Sequence, residues 1–166
     1  MRKSLLGVII LVGAALLLVP VSAHEGREAG PYQIVFGWRV EPAYTDLLNG
    51  PEFTIQMHSG EEGEEEAEGE HSDTGVEDHH DAGAMVEGAE DTLQLEVSFG
   101  DQTKQLRIRP VFGEPGNYTA DLIPTRPGDY TFRLFGTIGE TEIDETFSSA
   151  DGEFSTVEPI SDIRFP

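Results

Sequence analysis

No cysteine occurs in the 166 residues. That absence excludes disulfides, thiolate metal sites and cysteine nucleophiles, so the fold must rest on its core alone. Positive charge is scarce as well. Ten Lys and Arg stand against 32 Asp and Glu, a net charge of −22. A surface of that sign repels nucleic acid and anionic lipid and favours cations. The motifs of common enzyme classes are missing: no Gly-x-Ser-x-Gly elbow, no phosphate loop, no Gly-x-Gly-x-x-Gly. His24-Glu25-Gly26-Arg27-Glu28 begins like a His-Glu-x-x-His metalloprotease helix, but Glu occupies its last position. Carboxylates are so abundant that no pair stands out as an acid–base couple. An enzyme is therefore not the expectation.

What is present begins with an export signal. Arg2 and Lys3 form a basic start, Leu5 to Val19 is an uncharged apolar run, and Val21-Ser22-Ala23 supplies small residues before a charged stretch. This is the three-part pattern of a secretory signal peptide, residues 1–23. The apolar run of about 15 residues is short of the ~20 that span a bilayer. No cysteine follows for lipid attachment, and no second apolar segment follows for membrane insertion. The expectation is a secreted or periplasmic protein comprising residues 24–166, with eight basic residues left and a net charge of about −24.

Residues 58–85 contain no Lys or Arg and are dominated by Glu, Asp, Gly and His. Such a stretch buries too little apolar surface to offset its ordering entropy and reads as a disordered acidic insert. A long loop is tolerated because closure entropy grows slowly with length.

On either side of the insert the pattern has period two. Tyr32, Ile34, Phe36, Trp38 and Val40 alternate with Gln33, Val35, Gly37 and Arg39. The same spacing holds for Phe53, Ile55 and Met57; Leu93, Leu95, Val97 and Phe99; Leu106 and Ile108; Tyr118, Ala120 and Leu122; and Tyr130, Phe132 and Leu134. Alternation marks strands with one buried face, and Met57 is expected to point into the core. Ile143 and Phe147 continue the theme, and Phe154 and Val157 suggest a last short strand. Asn49-Gly50-Pro51 and Gly100-Asp101 mark turns, the latter a hairpin. Glu114-Pro115-Gly116-Asn117-Tyr118-Thr119 and Arg126-Pro127-Gly128-Asp129-Tyr130-Thr131 are near-copies twelve residues apart, each a turn feeding a strand that opens on Tyr. That spacing suits consecutive antiparallel strands. Tyr44 to Leu48 makes at most one short turn, and no amphipathic helix follows the signal. The pattern predicts an all-β fold: a single antiparallel β-sandwich domain of immunoglobulin-like type, with Tyr130 suited to a tyrosine corner.

Gly30-Pro31-Tyr32 opening the first strand, Val86-Glu87-Gly88 leading into Leu93–Phe99, and the Pro127-to-Phe132 turn-strand resemble the YtkA-like and CopC-like exported β-sandwich domains. The resemblance covers roughly residues 30–157. It implies the sandwich fold and a link to copper handling. In CopC-like proteins an N-terminal His is a copper ligand, joined by a second His of the folded domain; the core here supplies none except His58 at the edge of the insert.

The five histidines are His24, His58, His71, His79 and His80. None falls in the strands after the insert, so they read as exposed metal ligands and not as packing residues. Cleavage after Ala23 would give His24 a free α-amine beside its imidazole, a two-nitrogen chelate suited to tetragonal Cu(II). The amine, with a pKa near 7.7–8.0, deprotonates at little cost near neutrality. His58 lies on the polar face at the edge of the insert. His71 and the run Glu77-Asp78-His79-His80-Asp81 set imidazoles among carboxylates, a composition for copper, zinc or another divalent cation. The acidic run does not match an EF-hand, so calcium would bind loosely. Arg107 and Arg109, with Lys104 nearby, line the wet face of one strand and are placed to pair with acidic cross-strand neighbours.

The expected function is exported metal binding, with copper foremost and a metal cation as the main partner. The alternative is a non-metal interaction module that docks on a cell-envelope protein. A copper-dependent oxidase on the same scaffold is the least supported reading.

Overall fold

The computed structural model describes residues 24–58 and 83–166. Residues 1–23, where the signal peptide is expected, and residues 59–82, with His71, His79 and His80, lie outside the described residues. The described chain forms β1 (His24–Ala29), β2 (Tyr32–Trp38), β3 (Pro51–Met57), β4 (Leu93–Phe99), β5 (Gln102–Leu106), β6 (Arg109–Pro110), β7 (Asn117–Thr119), β8 (Thr131–Ile138) and β9 (Thr141–Ser148). Two antiparallel sheets result, ordered β1-β2-β3-β7-β6 and β5-β4-β8-β9. The chain changes sheet after β3, β5 and β7, and hairpins join β1 to β2, β4 to β5 and β8 to β9. This is the all-β sandwich that the alternation predicts.

Each sheet turns its apolar set inward. Ile34, Phe36, Trp38, Phe53, Ile55 and Tyr118 come from one sheet; Leu95, Phe132, Leu134, Ile143 and Phe147 from the other. Phe36 sits at the centre, stacked on Phe147 at 4.4 Å and tilted against Phe132 at 5.4 Å. Trp38 meets Phe132 edge-on at 5.2 Å, and its indole N–H donates to the Ser155 carbonyl at 2.9 Å. Burying each such ring contributes about 2–3 kcal/mol. The Tyr130 hydroxyl donates to the Arg126 carbonyl at 3.0 Å, the tyrosine corner of immunoglobulin-like sandwiches.

Tight backbone approaches fix the crossings. Gly50 has φ 134°, and a Cβ there would lie 1.8 Å from the Ala120 carbonyl oxygen. Beside it, the Asn49 side chain accepts from the Val40 N–H at 3.1 Å and donates to the Val40 carbonyl at 2.9 Å, replacing a rung of ladder where β2 has ended. The Tyr118 hydroxyl donates to the Val86 carbonyl at 2.7 Å and accepts from the Ala89 N–H at 3.1 Å. It thereby anchors the chain as it enters β4.

Several expectations change. Leu106 to Arg109 is not one strand: β5 ends at Leu106 and β6 belongs to the other sheet, with Arg107 and Ile108 at the crossing. Leu106 and Ile108 are buried in the shared core, so the alternation runs on through a sheet change. The two Tyr-opening strands, β7 and β8, lie in opposite sheets and do not pair with each other. Val157 forms only an isolated bridge to Gly128, not a strand. Met57 is not a core residue: it is 45 % exposed at the last position of β3, opposite the first residue of β2. The ladder continues beyond it: the His58 N–H donates to the Pro31 carbonyl, and Ala84 accepts from the Met57 N–H. Gly83 to Met85 are thus described alongside β3.

Candidate functional site

Strand β1 was invisible to the alternation rule, because His24-Glu25-Gly26-Arg27-Glu28-Ala29 carries almost no apolar residue. It forms because β2 offers an open edge. Gly30 and Pro31 make the two-residue connection, with Gly30 at φ 60°, the sign required at the first position of a II′ turn. The ladder runs from Ala29 opposite Tyr32 to His24 opposite Gly37.

A polar clasp adds to this ladder. The Arg27 guanidinium pairs with the Glu153 carboxylate, lies 4.0 Å from Glu145 and stands 5.3 Å from the centroid of the Phe147 ring. Glu153 is nearly buried and also accepts from the Ser148 backbone N–H. β1 is therefore tied both to its own sheet and to the end of β9 across the sandwich.

Pairing places His24 opposite Gly37, and Gly37 opposite Glu52 of β3. Inward positions on β2 are taken by Tyr32, Ile34, Phe36 and Trp38, so Gly37 and its partner Glu52 lie on the outer face. Positions 24 and 52 stand two strands apart, about 10 Å, with no side chain between them because residue 37 is glycine. Glu52 is half-buried.

His58 lies at the other end of the sheet, where its N–H meets Pro31. From Gly37 to Pro31 is six residues, about 20 Å of strand. His24 and His58 therefore do not meet at one ion. His58 is exposed, and its register position shares the outer face with Gln56 and Met85, which is 47 % exposed. Among the described residues, no three His, Asp or Glu side chains converge as a metal-holding group.

The predicted ion pairs involving Arg107 and Arg109 divide. Arg109 donates to Asp121 at 2.9 Å, and Arg39 donates to the same oxygen at 3.0 Å. The hydrogen bond from Arg109, then that from Arg39, holds the Asp121 carboxyl below the usual carboxylate range. Arg39 also donates to the Asn49 carbonyl at 2.7 Å, so the cluster ties β6 and the start of β3 together. Arg107 and Lys104 make no ion pair among the described residues. Burial pushes the Tyr118 and Tyr130 phenols up. Among the described residues, no helix is long and apolar enough to cross a membrane.

Compared with protein-family models, with curated proteins and with solved structures, the chain matches none.

Proposed function

We propose that the protein is exported, cut after Ala23, and binds a divalent metal cation at its new N-terminus, with copper preferred and zinc held more weakly. The His24 α-amine and imidazole are the nitrogen donors, and Glu52 supplies a carboxylate oxygen. One observation carries this reading: the register of β1, β2 and β3 puts position 24 opposite Gly37 and Gly37 opposite Glu52, in one row across the sheet. An amine, an imidazole and a carboxylate are the donor types that tetragonal Cu(II) takes. Holding β1 in a ladder and a clasp lowers the entropy lost on chelation, an advantage over a free terminus. His58, His71, His79 and His80 serve as separate, weaker ligands. The resemblance to the YtkA-like and CopC-like domains supports copper handling in the cell envelope.

Because the amine must lose a proton to bind, affinity rises with pH between about 6 and 8. The test is Cu(II) titration followed by electron paramagnetic resonance on protein beginning at His24, on the same chain with one Gly added before it, and on Glu52→Gln. The added Gly removes the tight nitrogen-rich signal, and Glu52→Gln weakens it. Identical spectra and affinity for the first two proteins would refute the site. A second reading, docking on an envelope protein without metal, is favoured by an open groove of about 540 Å³ beside β5 whose lining includes Lys104 and Arg126 and no carboxylate.

A further inference from the structure

Strand β5 is an edge: it pairs with β4 on one side and with no described strand on the other. Beside it runs an open groove of about 540 Å³. Its floor is Phe99 against Tyr130, ring centroids 4.8 Å apart. One wall is Gln102–Lys104 of β5, the other Leu122–Arg126. Ile123 is 52 % exposed on that second wall.

The lining includes Lys104 and Arg126 and no carboxylate. In a chain with 32 acidic residues against ten basic ones, that composition stands out. Neither cation has a carboxylate partner among the described residues, whereas Arg27, Arg39, Arg109 and Arg133 all do. Lys104 lies opposite Val97, whose side chain is buried, so it occupies an inward position on an edge strand and borders the groove.

The second wall is held before any ligand arrives. Leu122 exchanges backbone hydrogen bonds with Asn49, the Asp46 N–H donates to the Pro124 carbonyl at 2.8 Å, and the Tyr130 hydroxyl holds Arg126. A groove with one open strand edge, an apolar floor and a fixed wall suits an added extended segment. Its two cations, without carboxylate partners among the described residues, select for carboxylates. A second copy fits poorly, because edge-to-edge pairing of β5 with itself brings inward lysines and two strongly acidic bodies together.

We propose that this groove binds an extended acidic segment of a partner protein, which adds as a strand beside β5 with apolar side chains over Phe99 and Tyr130 and carboxylates at Lys104 and Arg126.

The probe is a displayed library of random ten-residue peptides, selected on the full chain as the cell processes it. Enriched peptides are then titrated against wild type and Lys104→Glu/Arg126→Glu, with amide chemical shifts followed by NMR. Both substituted residues are exposed, and the amide spectrum verifies the fold of the variant. The expected result is enrichment of peptides alternating acidic and apolar residues, shifts centred on 102–104 and 122–126, and at least tenfold weaker binding by the variant. Absence of enrichment, enrichment of basic peptides, or equal affinity for the variant overturns the proposal. So does a wild-type dimer in sedimentation equilibrium that the variant dissolves, since the occupant is then a second copy.

Discussion

Replacing Arg27 by Ala detaches β1 from the far side of the sandwich without touching its ladder to β2. The Glu153 side chain is 10 % exposed and that of Arg27 is 35 % exposed. Removing one partner of a fully buried ion pair costs about 3–5 kcal/mol, and the exposed third of Arg27 reduces this to about 2–3 kcal/mol. The contact with the Phe147 ring adds about 0.5–1 kcal/mol. The expected loss is about 3 kcal/mol, a large share of the 5–15 kcal/mol typical of a domain. Glu153→Gln removes the charge that would otherwise be stranded, so Arg27→Ala in that background costs only about 1 kcal/mol. Urea unfolding of the four proteins measures the cycle, with an unchanged denaturant slope as the sign that only stability moved. Hydrogen exchange at β1 amides should accelerate more than at β3. A loss under about 0.5 kcal/mol for Arg27→Ala, or the same loss in both backgrounds, would refute the clasp.

Other positions yield independent outcomes. Gly50→Ala forces a Cβ into the Ala120 carbonyl at a φ disfavoured for alanine, and should cost about 3 kcal/mol or more, read as a lowered melting temperature or loss of soluble protein. Asp121 has a lowered folded-state pKa; its contribution is therefore present above the ordinary carboxylate value of about 3.9 and lost as pH falls through the lowered one. Since Asp121 is exposed, Asp121→Asn should remove only about 0.5–1 kcal/mol at pH 7, and the difference should vanish at low pH in paired urea titrations. Tyr118→Phe leaves the Val86 carbonyl and Ala89 N–H without their partner. It should cost about 1–3 kcal/mol in urea unfolding, with faster exchange at the Ala89 amide.

Much of the fold was legible because burial on one face writes itself into alternation. β2, β3, β4 and β8 follow the spacing of Tyr32 to Trp38, Phe53 to Ile55, Leu93 to Phe99, and Phe132 to Leu134. β1 and most of β5 were not legible. Both are edge strands held by backbone pairing, and sequences such as Gln102-Thr103-Lys104-Gln105 bury nothing that a periodicity could register. Sheet membership was equally hidden, since Leu106 and Ile108 face one core from two sheets. Of the candidate site, the proposal for His24 comes from the sequence alone, from its place after Ala23. The proposal for Glu52 does not, because its place in one row with position 24 depends on the register of three strands. The cation-lined groove drew Lys104 from β5 and Arg126 from a loop some twenty residues later, a juxtaposition that only the fold makes.

The proposed chelate requires a free α-amine at His24, and intact-mass spectrometry of the protein recovered from its producing cell tests that most directly. The account predicts a mature chain that begins at His24. A chain that retains residues 1–23, or begins on either side of His24, contradicts it, because the amine would then belong to another residue.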